Sequence, residues 1–393
     1  MHMQKIDSFE ASPKERTGRR IVALDGFRGL MTLFVILSHY FGEIAGGILP
    51  LRFGFIAVDS FFVLSGLLVG RLILDKGDAE NFYQVFYARR ILRTFPIYFL
   101  CVALAIAAER AIGLPGNDAV PTWSYFSFTN NIFVALTQNT GREWLGPTWT
   151  MGVEEQFYLI APALMLATPR RYLLHVLTGI IALSIASRFA IFLTSGNSLA
   201  ALTLLPTRAD NLAIGLACAL LLKTGIRWDS FALRAAPIVI LILFFVVDQF
   251  VGDNFPLLLG HTLVCVAAAL FLMSMVRGAP EAKRFESKTL AFFGETSYAV
   301  YLTHMPILWV AHALILHHAP SIATGAGFAV TIACLPLTVL IATALTRFVE
   351  APITSIGQRL KWRQAPPKAA ALKTAPVEAA AIAAVCLEPE ASR

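Results

Sequence analysis

Ten apolar stretches of about 20 residues each constrain the fold of this chain more than any other feature. They lie near 30–49, 54–74, 91–112, 149–168, 172–194, 205–223, 235–250, 257–276, 290–316 and 323–346. A helix needs about 20 apolar residues to cross a hydrocarbon core of about 30 Å. With 15% charged residues, the chain is also far less charged than a typical soluble domain. The sequence therefore predicts an all-α polytopic membrane protein, a helical bundle with about ten transmembrane helices.

The basic residues predict how these helices are oriented. If the N-terminus is cytoplasmic, the outer connections hold only Arg52, Arg110, Arg142 and Arg208, and Arg188 lies within a span. All other Lys and Arg residues, of 32 in total, then lie on the cytoplasmic side, as the positive-inside rule requires. We therefore expect both termini to be cytoplasmic. The net charge of +7 follows from this bias and gives no reason to expect a nucleic-acid partner, since no basic stripe alternates with stacking aromatics in a soluble domain.

Composition divides the chain into three parts. We expect a cytoplasmic N-terminal arm over 1–20, a transmembrane domain over 21–362 and a disordered cytoplasmic tail, rich in Ala and Pro, over 363–393. The N-terminal arm has no small-residue cleavage site, so the first helix is expected to remain as an anchor. We expect no appended soluble domain.

The five cysteines give no metal-binding or disulfide pattern. Cys101, Cys218, Cys265 and Cys334 lie in different apolar spans, and Cys386 lies in the tail. Without CxxC or Cys/His spacing they are predicted to be small buried side chains, and no metal site is expected.

Ionisable residues at membrane depth are the strongest functional signal. An ionisable side chain costs about 2.5–3.5 kcal/mol on insertion scales and usually marks a pathway or a site. Arg28 and His39 are eleven residues apart, so on a helix they share a face and differ by about 16 Å in height. The other such residues are Glu43, Asp59, Glu154, Glu155, Arg188, Arg208, Asp210 and His304. We expect them to converge on a polar cavity open to the outer side.

Structural interpretations remain open for the histidines and for the basic pair of the third span. His39 can be a hydrogen-bonded structural histidine, and His304 can cap a kink at Pro306. Arg90 and Arg93 can be a simple cytoplasmic anchor of their helix.

Ion pairing is the structural alternative for the acidic residues. Arg208 with Asp210, or Glu154 with an arginine, can hold helices together. The aromatic and amide side chains of the longest outer connection can bind a sugar or form an ordinary interfacial belt. The candidates for sugar binding are Trp123, Tyr125, Asn130, Asn131, Trp144, Trp149 and Arg208.

Six local segments, taken together, are more specific than any single residue. They are LDGFRG at 24–29 with SH at 38–39, VDSFFVLSG at 58–66, YARRILRTFPIY at 87–98, WTMGVEEQFY at 149–158, GETSYAVYLTHMP at 294–306 and RFVEAP at 347–352. In this order they resemble the motifs of the acyltransferase-3 family of integral membrane acyltransferases. The resemblance covers about residues 21–355, and Thr150 and Met151 stand where the family has Ser and Leu.

The resemblance implies an activity and a location. Members transfer short acyl groups, commonly acetyl, from cytoplasmic acyl-CoA to hydroxyls of carbohydrates or other acceptors, often at the extracytoplasmic face. We therefore expect a multi-pass protein of the bacterial inner membrane that takes acetyl-CoA as acyl donor. Its acceptor would be a carbohydrate or glycolipid such as O-antigen, exopolysaccharide or a lipid-linked sugar. Many relatives carry an extra periplasmic hydrolase-like domain, which we do not expect here.

The resemblance also assigns roles to residues. The catalytic group would comprise His39 as general base with Arg28 and Glu154. Arg90 and Arg93, with Arg28, would hold the phosphates of the donor. The remaining candidates, expected to bind substrate, are Asp59, Arg208, His304 and Trp149. Direct transfer to the acceptor is preferred over a covalent acyl-histidine.

Two other functions compete with this interpretation. A transporter or exporter of a polysaccharide intermediate would use the intramembrane His and carboxylates as a proton relay, but no internal repeat with paired broken helices is evident. A scaffolding subunit with a degenerate site has no need to retain costly buried charges. The sequence gives no oligomeric state.

Overall fold

The computed structural model describes residues 21–114, 116–224, 230–251 and 254–364. Within these residues the chain forms fourteen α-helices and no β-strand. The helices are α1 (Val22–Phe41), α2 (Phe55–Lys76), α3 (Phe82–Ile112), α4 (Thr122–Phe126), α5 (Asn130–Thr137), α6 (Trp149–Ala167), α7 (Arg170–Ser195), α8 (Ser198–Thr203), α9 (Leu205–Lys223), α10 (Ser230–Val251), α11 (His261–Val276), α12 (Lys288–Leu316), α13 (Gly325–Leu345) and α14 (Ala351–Arg359). The all-α polytopic bundle predicted from the sequence is confirmed.

Nine helical stretches of the described chain are long and apolar enough to cross a membrane. Two of the nine stretches contain more than one helix. Ser198–Lys223 contains α8 and α9, and Gly325–Arg359 contains α13 and α14. The tenth predicted span, near 149–168, corresponds to α6. That helix has 19 residues but is not among the nine, and it carries three consecutive polar residues at 154–156.

The first helix differs from its predicted position. It spans Val22–Phe41 instead of 30–49. Directly after its end, Gly42 packs against the Leu51 carbonyl, where an added Cβ would be 2.4 Å from the oxygen. The chain turns there and does not continue as a helix. Arg28 therefore lies inside α1 and not at its start. His39 lies in the last turn of α1 and not in its middle.

Contacts between chain segments define two faces of the bundle. At one face α1 begins, and Glu80 N donates to Arg363 O at 3.0 Å. We call this the proximal face. At the opposite, distal face, Ile322 N donates to Ala45 O at 2.9 Å, so the loop after α1 meets the loop after α12.

Glycines allow the central helices to approach closely. An added Cβ would lie 2.0 Å from Leu290 O at Gly29 and 2.0 Å from Asp25 O at Gly294, where α1 crosses α12. Small residues at helix crossings are how membrane helices gain packing contacts without a hydrophobic driving force between them. This crossing fixes the relative position of the two helices that carry the histidines.

The longest connection between spans folds back onto the bundle. Arg142 donates from Nε to Glu109 Oε2 at 2.7 Å and from Nη2 to Asp118 Oδ1 at 3.1 Å. The ion pair ties the loop to the distal end of α3. The aromatic stretch predicted to be interfacial contains the short helices α4 and α5.

The four cysteines of the described residues are free and buried, as predicted. Cys386 lies outside the described residues. In the same part of the chain, no three His, Cys, Asp or Glu side chains form a group that could hold a metal ion.

Candidate active site

A cavity of about 200 Å³ lies inside the bundle between α1, α2, α3, α6 and α12. Its polar lining includes Arg28, Arg90, Arg93, Glu154 and Tyr301. Four of these five were candidates from the sequence, and they come from three different helices. The cavity therefore collects residues that are up to 273 positions apart along the chain.

The three arginines of the cavity are weakly paired. Arg28 Nη1 lies 3.4 Å from Asp25 Oδ1, and Arg90 stacks over the ring of Tyr158 at 4.5 Å from its centroid. No ion pair joins Arg90 or Arg93 to a carboxylate of the described residues. Because a guanidinium binds phosphate and carboxylate oxygens through a planar set of donors, this end of the cavity suits an anionic ligand.

Glu154 lies in the wall of the cavity, on α6. Its Oε2 accepts a hydrogen bond from the Tyr158 hydroxyl at 3.2 Å, and that hydroxyl also lies 2.6 Å from Ser65 Oγ. The ion pair with an arginine that the sequence left open is not formed within the described residues. Glu154 instead contributes negative charge near the arginines without direct contact.

His39 and His304 are in direct contact. His39 Nδ1 lies 2.7 Å from His304 Nε2, and the two rings lie edge to edge and nearly coplanar, with a centroid distance of 5.0 Å and an interplanar angle of 6°. Tyr301 connects this pair to the cavity, because it lines the cavity and its ring centroid is 5.8 Å from that of His304.

Glu43 completes this group at the distal face, although the sequence did not assign it a role. Its Oε2 lies 3.5 Å from His39 Nε2, and Ser38 Oγ donates to its Oε1 at 2.7 Å. Burial raises the pKa of Glu43, and the hydrogen bond from Ser38 opposes that rise. The spacing of four residues between His39 and Glu43 was the available signal, but α1 ends between them.

Comparison with known proteins identifies the family. The family model described as an acyltransferase domain, acyltransferase-3, matches residues 21–347. The chain belongs to the acyltransferase-3 family. The matched region contains every residue of the cavity lining and both histidines of the pair.

Several curated proteins are similar to this acyltransferase-3 chain. The peptidoglycan O-acetyltransferase OatA of Listeria monocytogenes is 29% identical over 368 residues, which cover 87% of this chain and 57% of that protein. The O-acetyltransferase OatA of Staphylococcus aureus is 26% identical over 386 residues, covering 89% and 60%. The chain thus spans less than two thirds of the length of these relatives. No solved structure matches it significantly.

Asp59 and Arg208 of this acyltransferase-3 protein were predicted to bind substrate. They form a buried ion pair outside the cavity lining. Asn211 Nδ2 donates to Asp59 Oδ1 at 2.9 Å, and His261 Nδ1 lies 2.7 Å from Asp59 Oδ2. Asp59 and Arg208 are at most 1% exposed. The network holds α2, α9 and α11 together, and the predicted contact of Asp59 and Arg208 with substrate stays a prediction.

Asp210 does not pair with Arg208, which the sequence had left open. It pairs with Arg188 of α7 and accepts from Thr262 Oγ1 at 2.5 Å and Ser184 Oγ at 3.0 Å. Residues two apart on a helix point about 200° apart, so Arg208 and Asp210 face different neighbours. They therefore belong to two adjacent networks.

The aromatic and amide candidates divide by exposure. Trp149 packs against Phe62, a cavity residue, with ring centroids 6.1 Å apart. Trp123 is 60% exposed. The remaining candidates of the outer connection are buried, namely Tyr125, Asn130, Asn131 and Trp144. Within the described part of the acyltransferase-3 domain, Trp123 is thus the exposed aromatic of this set, and its ring contacts that of Phe133, with 5.2 Å between ring centroids.

Proposed function

We propose that this protein is an integral membrane O-acyltransferase that moves an acyl group from acyl-CoA to a hydroxyl of a carbohydrate acceptor. The proposed acyl group is acetyl. The observation that carries the proposal is one arrangement, a cavity with three arginines next to a pair of histidines in direct contact. Membership of the acyltransferase-3 family and the names of the relatives support it.

The donor would enter from the proximal face, which we assign to the cytoplasm of a bacterial inner membrane. Arg28, Arg90 and Arg93 would hold its phosphates through charge-assisted hydrogen bonds. The eleven residues from Arg28 to His39 rise by about 16 Å along α1, a distance that the extended pantetheine arm can cover. The thioester would then lie near Tyr301 and the histidine pair.

The chemistry would be a single acyl transfer with His39 as general base. Nε2 of His39 takes the proton of the acceptor hydroxyl as its oxygen attacks the thioester carbon. A C–O bond forms, the C–S bond breaks, and the imidazolium returns the proton to the CoA thiolate. No covalent intermediate on the protein is needed.

The carboxylates of Glu43 and Glu154 would have different roles. Glu43 lies 3.5 Å from His39 Nε2 and would stabilise the imidazolium that forms during transfer. Glu154, in the cavity wall, would balance the charge of the donor-binding arginines.

The acceptor would be a glycan of the cell envelope. One relative is named as a peptidoglycan O-acetyltransferase. The acceptors to test are therefore peptidoglycan, O-antigen, exopolysaccharide and lipid-linked sugars. The acceptor would approach from the distal face, where Glu43 is partly exposed.

Release of CoA from acetyl-CoA by the purified protein tests this proposal. Peptidoglycan fragments, lipopolysaccharide and lipid-linked oligosaccharide are supplied as separate acceptor preparations. We expect acceptor-dependent release by the wild type and a loss of about 100-fold or more in His39→Ala, because a general base contributes about 10²–10⁴-fold. His318→Ala, an exposed histidine at the end of α12, is the matched control and should retain activity. Equal release by wild type and His39→Ala, or no binding of acetyl-CoA, would contradict the proposal and favour transport.

A further inference from the structure

The hydrogen bonds around His304 determine where its proton lies. Nδ1 of His304 is 3.2 Å from the carbonyl oxygen of Val300. A carbonyl oxygen can only accept a hydrogen bond, so Nδ1 of His304 carries the proton. In the neutral ring, Nε2 of His304 is then an acceptor.

The same reasoning shows which nitrogen of His39 carries the proton. Because Nε2 of His304 accepts, the contact of 2.7 Å requires that His39 Nδ1 carries the proton and donates it. In the neutral ring, Nε2 of His39 is then left without a proton. The histidine pair therefore presents one bare nitrogen, and that nitrogen lies on the side of Glu43.

His304 is held firmly enough to impose this arrangement. Its side chain is completely buried, and its own carbonyl accepts a hydrogen bond of 2.8 Å from the Tyr40 hydroxyl. That hydroxyl also lies 2.8 Å from Thr338 Oγ1 of α13. With its ring in edge-to-edge contact with His39, both the backbone and the side chain of His304 are fixed.

We propose that His304 is a positioning residue that holds His39 in the tautomer protonated at Nδ1 and so aims the bare Nε2 at the distal face. The inference rests on the proposed function, and it replaces the substrate-binding role expected for His304. The tautomer of a histidine is set by the hydrogen bond that its other nitrogen makes. Here a second histidine does what a carboxylate does in other general-base sites.

The arrangement gives the acceptor a direction of approach. The nitrogen that takes the proton faces Glu43, whose side chain is 42% exposed, whereas the side chain of His39 itself is 16% exposed. An acceptor hydroxyl must therefore reach Nε2 past Glu43, from the face opposite to the donor-binding arginines. After proton transfer, both nitrogens of His39 carry protons, one donated to His304 and one facing the Glu43 carboxylate.

Nitrogen NMR of the full-length protein in lipid bilayers, labelled with ¹⁵N-histidine, tests the tautomer without any substrate. The chain has eight histidines, and the difference spectrum against His39→Gln assigns the signals of His39. We expect a protonated Nδ1 and a bare Nε2 in the wild type. His304→Gln keeps an acceptor oxygen at the position of Nε2 and should preserve this tautomer. His304→Met removes the acceptor at similar length and should release a large share of His39 into the other tautomer.

Transfer from acetyl-CoA to peptidoglycan fragments gives the second measurement. In His304→Met kcat should fall by about 10- to 1,000-fold, within the contribution of the base itself, with KM for acetyl-CoA nearly unchanged. His304→Gln should retain most of kcat. A purely structural role would lower both variants alike and would leave the tautomer of His39 unchanged.

Three results would overturn the inference. These are a wild-type His39 protonated at Nε2, an unchanged His39 tautomer in His304→Met, and equal kcat in the Gln and Met variants. If the wild type transfers no acetyl group to any acceptor, the proposed function fails, yet the tautomer measurement still decides the role of His304.

Discussion

At the scale of single residues, the bundle contains two classes of arginine. Arg188 and Arg208 are almost completely buried, and each is paired with an aspartate. Arg90 and Arg93 reach the cavity, and neither has a carboxylate partner among the described residues. A buried charge without a partner is strongly destabilising, which explains the first class. The second class keeps its positive charge available for a ligand.

Removing the unpaired arginines is expected to affect the donor alone. The double variant Arg90→Gln with Arg93→Gln should raise KM for acetyl-CoA by about 100-fold, since a hydrogen bond to a charged group contributes about 1.5–3 kcal/mol. KM for the acceptor should change by less than about threefold. Steady-state kinetics with each substrate varied in turn measures both values.

Arg171→Gln is the matched control for that variant. Arg171 is exposed in the first turn of α7 and stacks over Tyr172, outside the cavity lining. It should leave KM for acetyl-CoA unchanged. Equal rises of KM for donor and acceptor in the double variant would mean that Arg90 and Arg93 act only as an anchor of α3.

At the scale of helices, the crossing of α1 with α12 controls the site. Gly29 and Gly294 let the two backbones approach, and the same helices carry His39 and His304. The hydrogen bond of 2.7 Å between the rings leaves little room for a shift. A change that separates the helices by an ångström would therefore break the pair without touching either ring.

A single methyl group at this crossing tests the idea. Gly29→Ala should lower the unfolding temperature in detergent and reduce acyl transfer at least tenfold, because its Cβ would lie 2.0 Å from Leu290 O. Gly179→Ala, on α7 with no heavy atom within 4 Å of the added Cβ, should be neutral or slightly stabilising. A Gly29→Ala protein as stable and active as the Gly179→Ala protein would show that the crossing tolerates expansion.

The local sequence was sufficient to predict where most helices lie. It was insufficient to predict which residues of different helices contact each other. Apolar length predicted α2 and α9 within two residues at each end. It misplaced α1: the helix ends at Phe41, where Gly42 packs against Leu51, and no local pattern shows that contact. Likewise, the partner of Asp59 is Arg208, 149 positions away, and only the packed helices bring the two together.

The same limit applies to the candidate site. The motifs named Arg28, Arg90, Arg93 and Glu154, and the structure places all four around one cavity. Motif spacing could not show that His39 contacts a residue 265 positions away, since such a contact depends on tertiary packing. It also gave no reason to choose Glu43 over Glu154 as the neighbour of the base.

At the scale of the whole molecule, the proposed donor and acceptor sites lie toward opposite faces. The arginines lie in the early turns of α1 and α3, on the proximal side, whereas Glu43 follows the distal end of α1. If the proximal face is cytoplasmic, the enzyme passes only an acyl group between compartments. The orientation of the bundle is therefore part of its function.

Cysteine labelling in intact cells checks this orientation. Starting from a cysteine-free chain, Glu143→Cys on the distal side should react with an impermeant maleimide before lysis. Asp78→Cys, exposed between α2 and α3, should react only after the membrane is permeabilised. The opposite pattern would place the donor-binding arginines outside the cell and would exclude cytoplasmic acyl-CoA as their ligand.

The contact between the two histidines also has a consequence for biosynthesis. His39 belongs to the first helix and His304 to α12, 265 residues later. At about 5–20 residues per second, a ribosome needs roughly 13–53 s to add that length. During this interval the inserted first helix holds a histidine whose partner does not yet exist. On the proposed mechanism acyl transfer needs both histidines, so a chain interrupted before α12 would be inactive in the membrane.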